Sequence, residues 1–306
     1  MKRAVGLLFA AVPLLAAAAW FATPSEHTVT DDAGGRVTAS RQAPPDTSAP
    51  SGKPADSERP TDPPSPPADP DKGLAAPDKK ELAQKLVASA ENATLDWRGQ
   101  YGYIEDIDDG RGYTAGIIGF CTGTHDLLVL VERYTADHPG NRLARYLPAL
   151  RAVDGSDSHQ GLDPGFTAAW RAEAKVAAFR EAQDGERDRV YFDPAVRLAK
   201  LDGLGTLGQF IYYDAMVMHG PGTGPGSFHG LRARAMAEAD TPAEGGDEKT
   251  YLGRFLDTRR SAMKASPDHH DTTRIDTAQR RFLNEGNLDL DPPLKWQVYG
   301  ELYEVR

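Results

Sequence analysis

The sequence predicts a mainly helical protein of the α+β class, and three observations carry that expectation. Stretches near 78–91, 126–136 and 193–218 are apolar and helix-like, the first repeating its apolar residues at helical spacing. Two β-rich runs, YGYIEDI (101–107) and GYTAGIIGF (112–120), flank the turn-forming Asp108-Asp109-Gly110-Arg111-Gly112 and predict a strand pair joined by a short loop. No internal repeat and no coiled-coil heptad organises the chain in another way.

The first quarter is unsuited to packing. Met1-Lys2-Arg3 precedes an apolar run over 4–19 interrupted by Pro13, with small residues near Ala22, the plan of a secretory signal peptide over 1–23. A membrane anchor is the alternative, but the run is short for a span and no basic cluster follows it. Residues 24–74 hold few large apolar side chains, and ten of the 23 prolines fall between 44 and 70. Such a segment cannot offset its chain entropy by burial, so a disordered Pro-rich spacer is expected. The folded unit is expected over 75–306, long enough for a substantial core.

The formal charge is −10, which argues against nucleic acid or an anionic membrane as partner, since both require basic patches. A cationic or neutral partner fits better. Cys121 is the single cysteine, so no intrachain disulfide can form, and its apolar surroundings predict a buried, inert thiol.

Order is expected from Asp78, placed to cap a helix with Glu81 completing a capping box after Pro77. Leu82, Leu86, Val87 and Ala90 then form one buried stripe, and Glu91 lies along its edge near the helix end. There burial can act on its pKa, although a solvated helix-end Glu is the bland alternative. Asp109 is expected to project from the tip of the strand-pair loop, where turn Asp residues also serve the turn itself. Helices follow over 126–136, 166–183, 193–218, 227–239, 247–264 and 276–284. The stretch 193–218 is expected to be one central helix, capped by Asp193 before Pro194. Asp214 lies inside it among aromatic and Met residues, so it should be paired with a cation or lie in a cleft.

Other constellations fail. The glycines after His219 lack Gly-Lys-Ser/Thr and a preceding strand, which excludes a P-loop. His269 and His270, near Asp268 and Asp271, lack a third ligand at metal spacing. No nucleophile elbow is present.

The runs Ser89-Ala90-Glu91-Asn92, Tyr103-Ile104-Glu105-Asp106-Ile107, Asp109-Gly110-Arg111-Gly112-Tyr113-Thr114 and Gly116-Ile117-Ile118-Gly119-Phe120-Cys121 closely resemble the family 46 glycoside hydrolases, secreted bacterial endo-chitosanases. The likeness continues through Glu186–Ala195, Gly208-Gln209-Phe210, Val217–Gly222 and Gly286–Trp296, and so covers essentially 76–304. It implies a lysozyme-like, two-lobed fold: a helical major lobe and a smaller lobe with a short β-sheet, joined by a long helix, with a substrate cleft between them. By the same resemblance Glu91 is the general acid, Asp109 the general base, and Thr114 helps to hold the attacking water. Tyr103, Arg111, Asp126 and His219 match substrate contacts, and Asp214, Arg259 and Arg274 match a buried charge network. Asp126 also begins a helix, where capping is an equal alternative. The loop 264–271 departs from the family by carrying His270 where acidic residues are frequent. The resemblance implies chitosan and glucosamine oligosaccharides as partners, no cofactor, no nucleic acid, no membrane contact after signal cleavage, a monomer, and an extracellular location.

The chemistry fits these residue types. Glycosidic hydrolysis needs a carboxylic acid at the leaving oxygen and a carboxylate on the opposite face of the sugar. A Glu beside an apolar stripe can stay protonated by burial, while a base that must stay ionised prefers a wetter, hydrogen-bonding setting such as the Gly-rich turn of Asp109 beside Arg111. Their origin on separate elements leaves room for water and suggests inversion. An acidic protein attracts protonated poly-glucosamine. The alternatives are a muramidase acting on anionic cell wall, which would more naturally be basic, and a binding module for cationic polysaccharide, which would not need this carboxylate pair.

Overall fold

The computed structural model describes residues 73–266 and 271–306. The expected signal peptide, nearly all of the expected spacer, and His269 and His270 lie outside the described residues.

Ordered packing begins at Gly73–Ala75, where Leu74 is fully buried and donates its N–H to Gln209 Oε1 (2.9 Å). Helix α1 spans Pro77–Glu91 and buries Leu82, Leu86, Val87 and Ala90 as their spacing predicts. Its start corrects the expected capping box. Ala76 occupies the cap position without a side-chain bond, and Pro77, whose missing N–H costs nothing in the first turn, opens the helix. Glu81 instead accepts from Arg98 Nη1 (2.9 Å) and Trp97 Nε1.

The β-rich runs are shorter than expected. Residues Trp97–Gly102 form a 3₁₀ turn capped by Asp96, which accepts from Gly99 N. Three strands follow, β1 (Ile104–Asp106), β2 (Tyr113–Ala115) and β3 (Phe120–Cys121), antiparallel in the order β1-β2-β3. Helices α2 (Asp126–Asp137) and α4 (Phe166–Glu173) pack with this sheet and α3 (Leu147–Val153) packs on α2, together making the smaller lobe.

Two helix expectations need correction. The stretch 166–183 is broken, because Val176 is extended and α5 starts afresh at Ala177. The stretch 193–218 is two helices, α6 (Asp193–Leu201) and α7 (Thr206–His219). Gly203 turns the chain between them with φ +78°, and a Cβ there would come within 2.9 Å of Ala243 N. Buried Asp202 fixes the corner by accepting from Tyr212 OH and Arg232 Nε, each at 2.7 Å. Periodicity missed the break because α7 is buried on all sides from Thr206 to Met216, so its apolar run simply extends that of α6.

The long connecting helix lies earlier. Helix α5 (Ala177–Arg187) continues through a π-helical segment, Asp188–Phe192, into α6, a run of 177–201 that spans about 38 Å at 1.5 Å per residue. Asp193 therefore lies inside a continuous helix and caps nothing. Its first part packs on α2 and its last part on α7, so this helix joins the lobes. The larger lobe comprises α1, α6, α7, α8 (Phe228–Met236), α9 (Glu248–Ala265), a second π-helical segment, Arg274–Gln279, that runs into α10 (Arg280–Glu285), and a C-terminal hairpin of β4 (Leu294–Val298) and β5 (Glu301–Val305). The hairpin was not expected, although β4 alternates inward Leu294, Trp296 and Val298 with exposed Lys295 and Gln297.

Candidate active site

Glu91 is the last residue of α1 and only 7 % exposed. The apolar stripe below it draws the helix end into the protein, and the helix C-terminus adds partial negative charge there. Burial, outweighing all else, raises its pKa above the ordinary carboxyl value; Arg274 opposes and Asp214 assists. Arg274 Nη2 comes within 2.8 Å of Glu91 Oε1, yet neither Glu91 oxygen receives an aligned hydrogen bond.

The same Arg274 nitrogen donates to Asp214 Oδ1 (2.7 Å). Asp214 Oδ2 accepts from Arg259 Nη2 (2.9 Å) and Gln279 Nε2 (2.6 Å), and Gln279 Oε1 accepts from Arg259 Nη1 (2.7 Å). Burial alone would raise the Asp214 pKa, but Arg274 and Arg259 together bring it down to about 2. Sequence reasoning missed Gln279. Arg274 and Gln279 are five residues apart, which on an α-helix would set them about 140° apart around the axis. The π-helical i to i+5 register instead brings both toward Asp214.

Asp109 sits in the loop between β1 and β2, closed at its base by the cross-strand pair Asp106↔Tyr113. The expectation that it projects from a loop tip is corrected, since its side chain is only 5 % exposed and folds back on Arg111. Arg111 N donates to Asp109 Oδ1 (3.1 Å) and Arg111 Nε to Oδ2 (2.8 Å), while Nη2 also contacts Oδ2. Gly112 allows this turn at φ +64°, where a Cβ would strike Thr122 Oγ1 and the backbone of Asp157. The charge of Arg111 also acts on Glu91 and opposes the rise in its pKa.

His159 grips the base of this loop. Its Nε2 stands 2.9 Å from Asp106 Oδ2 and its ring stacks on Tyr113 with 4.0 Å between centroids.

Thr114 is central in the small sheet, opposite Glu105 and Cys121, and fully buried. Its hydroxyl lies 3.2 Å from Cys121 Sγ. Burial pushes the Cys121 thiol up to about 11, in keeping with the inert thiol expected.

Asp126 opens α2, but the helix cap is His125. Asp126 Oδ1 instead collects Cys121 N (2.9 Å), Thr124 Oγ1 (2.7 Å) and Leu127 N (3.0 Å), tying β3 to the helix. Its Oδ2 accepts from Tyr191 OH (3.2 Å), a partner that sequence reasoning missed. Tyr103 is half-buried at the end of the 3₁₀ turn, and burial first and Glu105 second raise its phenol pKa. His219 ends α7, five residues after Asp214, and is 7 % exposed.

The structure thus joins Glu91, Arg274, Asp214 and Arg259 in one buried network and Asp109 with Arg111 in a second group whose guanidinium charge acts on Glu91. Among the described residues no group of three or more His, Cys, Asp or Glu side chains could hold a metal ion, and no helix is long and apolar enough to cross a membrane.

The family model for glycosyl hydrolase family 46 matches residues 85–294. The chain is 62 % identical over 233 residues to a chitosanase of Streptomyces sp. (strain N174), covering 76 % of this chain and 84 % of that one. A chitosanase of Bacillus subtilis (strain 168) is 40 % identical over 229 residues, covering 71 % and 81 %. Among solved structures, a chitosanase co-crystallised with substrate superposes with a TM-score of 0.75 at 56 % identity, covering 76 % of this chain and 99 % of that chain. The Gynuella sunshinyii GH46 chitosanase in complex with chitotetraose superposes with a TM-score of 0.69 at 33 % identity, covering 74 % and 97 %.

Proposed function

The chain belongs to glycosyl hydrolase family 46, and on that premise we propose that it is an endo-acting chitosanase that cleaves β-1,4 linkages between glucosamine residues with inversion. Glu91 is the general acid and Asp109 the general base. The observation that carries this assignment is the burial of Glu91 at 7 % exposure with its pKa raised, while a second carboxylate, Asp109, is held by Arg111 on another element.

Protonated Glu91 donates to the leaving glycosidic oxygen as the bond to the anomeric carbon breaks. Asp109 takes a proton from a water on the opposite face, and that water attacks the anomeric carbon. Charge then appears on Glu91 directly beside Arg274, which stabilises it without reorganisation. Asp214, Arg259 and Gln279 keep Arg274 in place. Thr114 helps to hold the water, and Tyr103, Arg111, Asp126 and His219 contact the sugars. The net charge of −10 suits a protonated polyamine and disfavours an anionic cell-wall polymer.

Residues 1–23 direct export and are removed, 24–74 form a spacer, and 75–306 act as a monomeric, extracellular catalytic domain; the basic start, the apolar run and the proline content support this division.

Glu91→Gln tests the central assignment. With chitosan as substrate it should lose more than about 100-fold in turnover while fluorescence titration shows glucosamine oligomers still binding. Retention of a tenth or more of the activity would remove Glu91 as the acid.

A further inference from the structure

Tyr299-Gly300 makes the two-residue turn of the C-terminal hairpin, with φ of +53° and +86°. Two positive values are what a type I′ turn requires, and Asn-Gly meets that requirement with least strain. A bulky aromatic residue in this conformation is an outlier, so the turn does not account for the tyrosine.

The turn is docked on the segment that carries Arg274. Tyr299 N donates to Thr273 Oγ1 (3.0 Å), and Thr277 Oγ1 donates to Gln297 O, so both sides of Arg274 are tied to the hairpin. The Tyr299 ring is half-buried and packs on the core. Trp296 of the same hairpin donates from Nε1 to Ser89 Oγ (2.9 Å), two residues before Glu91, so the hairpin lies against the end of α1 as well. The Tyr299 phenol, pushed up to about 12 first by burial, also feels the charges of Arg274, Glu91, Asp271 and Asp214.

We propose that Tyr299 is a positioning residue for the general acid: its ring, fixed by a turn that disfavours it, covers the Glu91–Arg274 pair and excludes water from it. This rests on Glu91 being the acid. The charged groups whose fields reach Glu91 are Arg274, Asp214 and Arg259 within the network and Arg111 from the Asp109 loop, while Asp271 acts on Tyr299. The substitution changes the formal charge of none of these groups, so the change in burial is the variable tested.

Tyr299→Asn separates this role from a structural one, because Asn-Gly suits the turn better than Tyr-Gly. In the full chain the variant should melt at the same temperature or higher, with KM within about twofold. Its kcat should fall about tenfold at neutral pH, and the basic limb of the pH profile should move down by about one unit. The sign follows from burial: water reaching Glu91 lowers its pKa, and an acid with a lower pKa is lost at lower pH. Tyr299→Phe keeps the ring and should recover most of the rate and the limb. An unshifted basic limb in the Asn variant, or a rate loss that only follows a fall in melting temperature, would overturn the proposal. A Phe variant as impaired as the Asn variant would overturn the assignment to the ring. Measured in parallel, Glu91→Gln keeps the two ideas apart, since an active Glu91→Gln enzyme would refute the acid itself and an inactive one with an unshifted Tyr299→Asn limb would refute the cover alone.

Discussion

Glu91 and Asp214 share one nitrogen of Arg274, at 2.8 and 2.7 Å, and their acidities move in opposite directions. Burial opposes the charged form of both. Asp214 has a second guanidinium from Arg259 and an amide from Gln279, and these partners overcome burial. Glu91 has one direct ion-pair contact, with Arg274, while Arg111 acts on it by charge, and burial prevails. One cation thereby serves a permanent carboxylate and a carboxyl group that can hold a proton for donation.

The raised pKa of Glu91 predicts a stability effect separable from catalysis. Folding favours its protonated form, so this contribution is fully present below its ordinary value of 4.5 and is lost as pH rises through the folded value. Glu91→Gln should therefore be at least as stable as the parent at pH 7 and no different at pH 3, measured by thermal melting. A clearly lower melting temperature at pH 7 would mean that the ionised side chain stabilises the fold.

Asp214 predicts the opposite trend. Its pKa is lowered from 3.8 to about 2, so its stabilisation is present above pH 3.8 and disappears as pH falls toward 2. The shift corresponds to about 2 kcal/mol. Asp214→Asn leaves Arg259 and Arg274 buried without their carboxylate and should cost about 3–5 kcal/mol at pH 7, with activity falling in parallel. Denaturant unfolding at pH 7 and pH 3 checks both figures, and an Asn variant as stable as the parent at pH 7 would contradict them.

Asp126 uses Oδ1 to tie β3 to α2, while among the described residues its Oδ2 accepts from Tyr191. Asp126→Asn keeps the acceptor that ties β3 to α2 but removes the charge. If that charge draws in a protonated amine, KM should rise and the rate should become less sensitive to salt, with little change in melting temperature. Unchanged kinetics at low ionic strength would restrict Asp126 to its structural contacts.

Much of this site is legible in the sequence where local chemistry dictates it. Helix α1 and the place of Glu91 follow from apolar spacing, and the Asp109 turn follows from its glycines. The pairing of Asp214 follows from a carboxylate inside an apolar run, although its partners Arg259 and Arg274 came from resemblance to the family. Periodicity did not reveal the break at Gly203, because a helix buried on all sides has no polar face to mark where it starts. Nor could it show that Arg274 and Gln279 act together, since their alignment exists only in a π-helical register set by packing. Asp109 was expected at a solvated tip, yet Arg111 turns it inward through contacts only two residues apart in sequence.

The stereochemistry of the first product distinguishes the role proposed for Asp109 from direct attack by a carboxylate. Glu91 and Asp109 come from a helix end and a strand-pair loop, and the proposed mechanism sets them on opposite faces of the sugar, with water between Asp109 and the anomeric carbon. Proton NMR of a chitosan oligomer digest, recorded before mutarotation, should show the α-anomer appearing first from the β-linked substrate. The β-anomer as first product would mean that a carboxylate attacks the sugar itself, and would contradict the role given to Asp109.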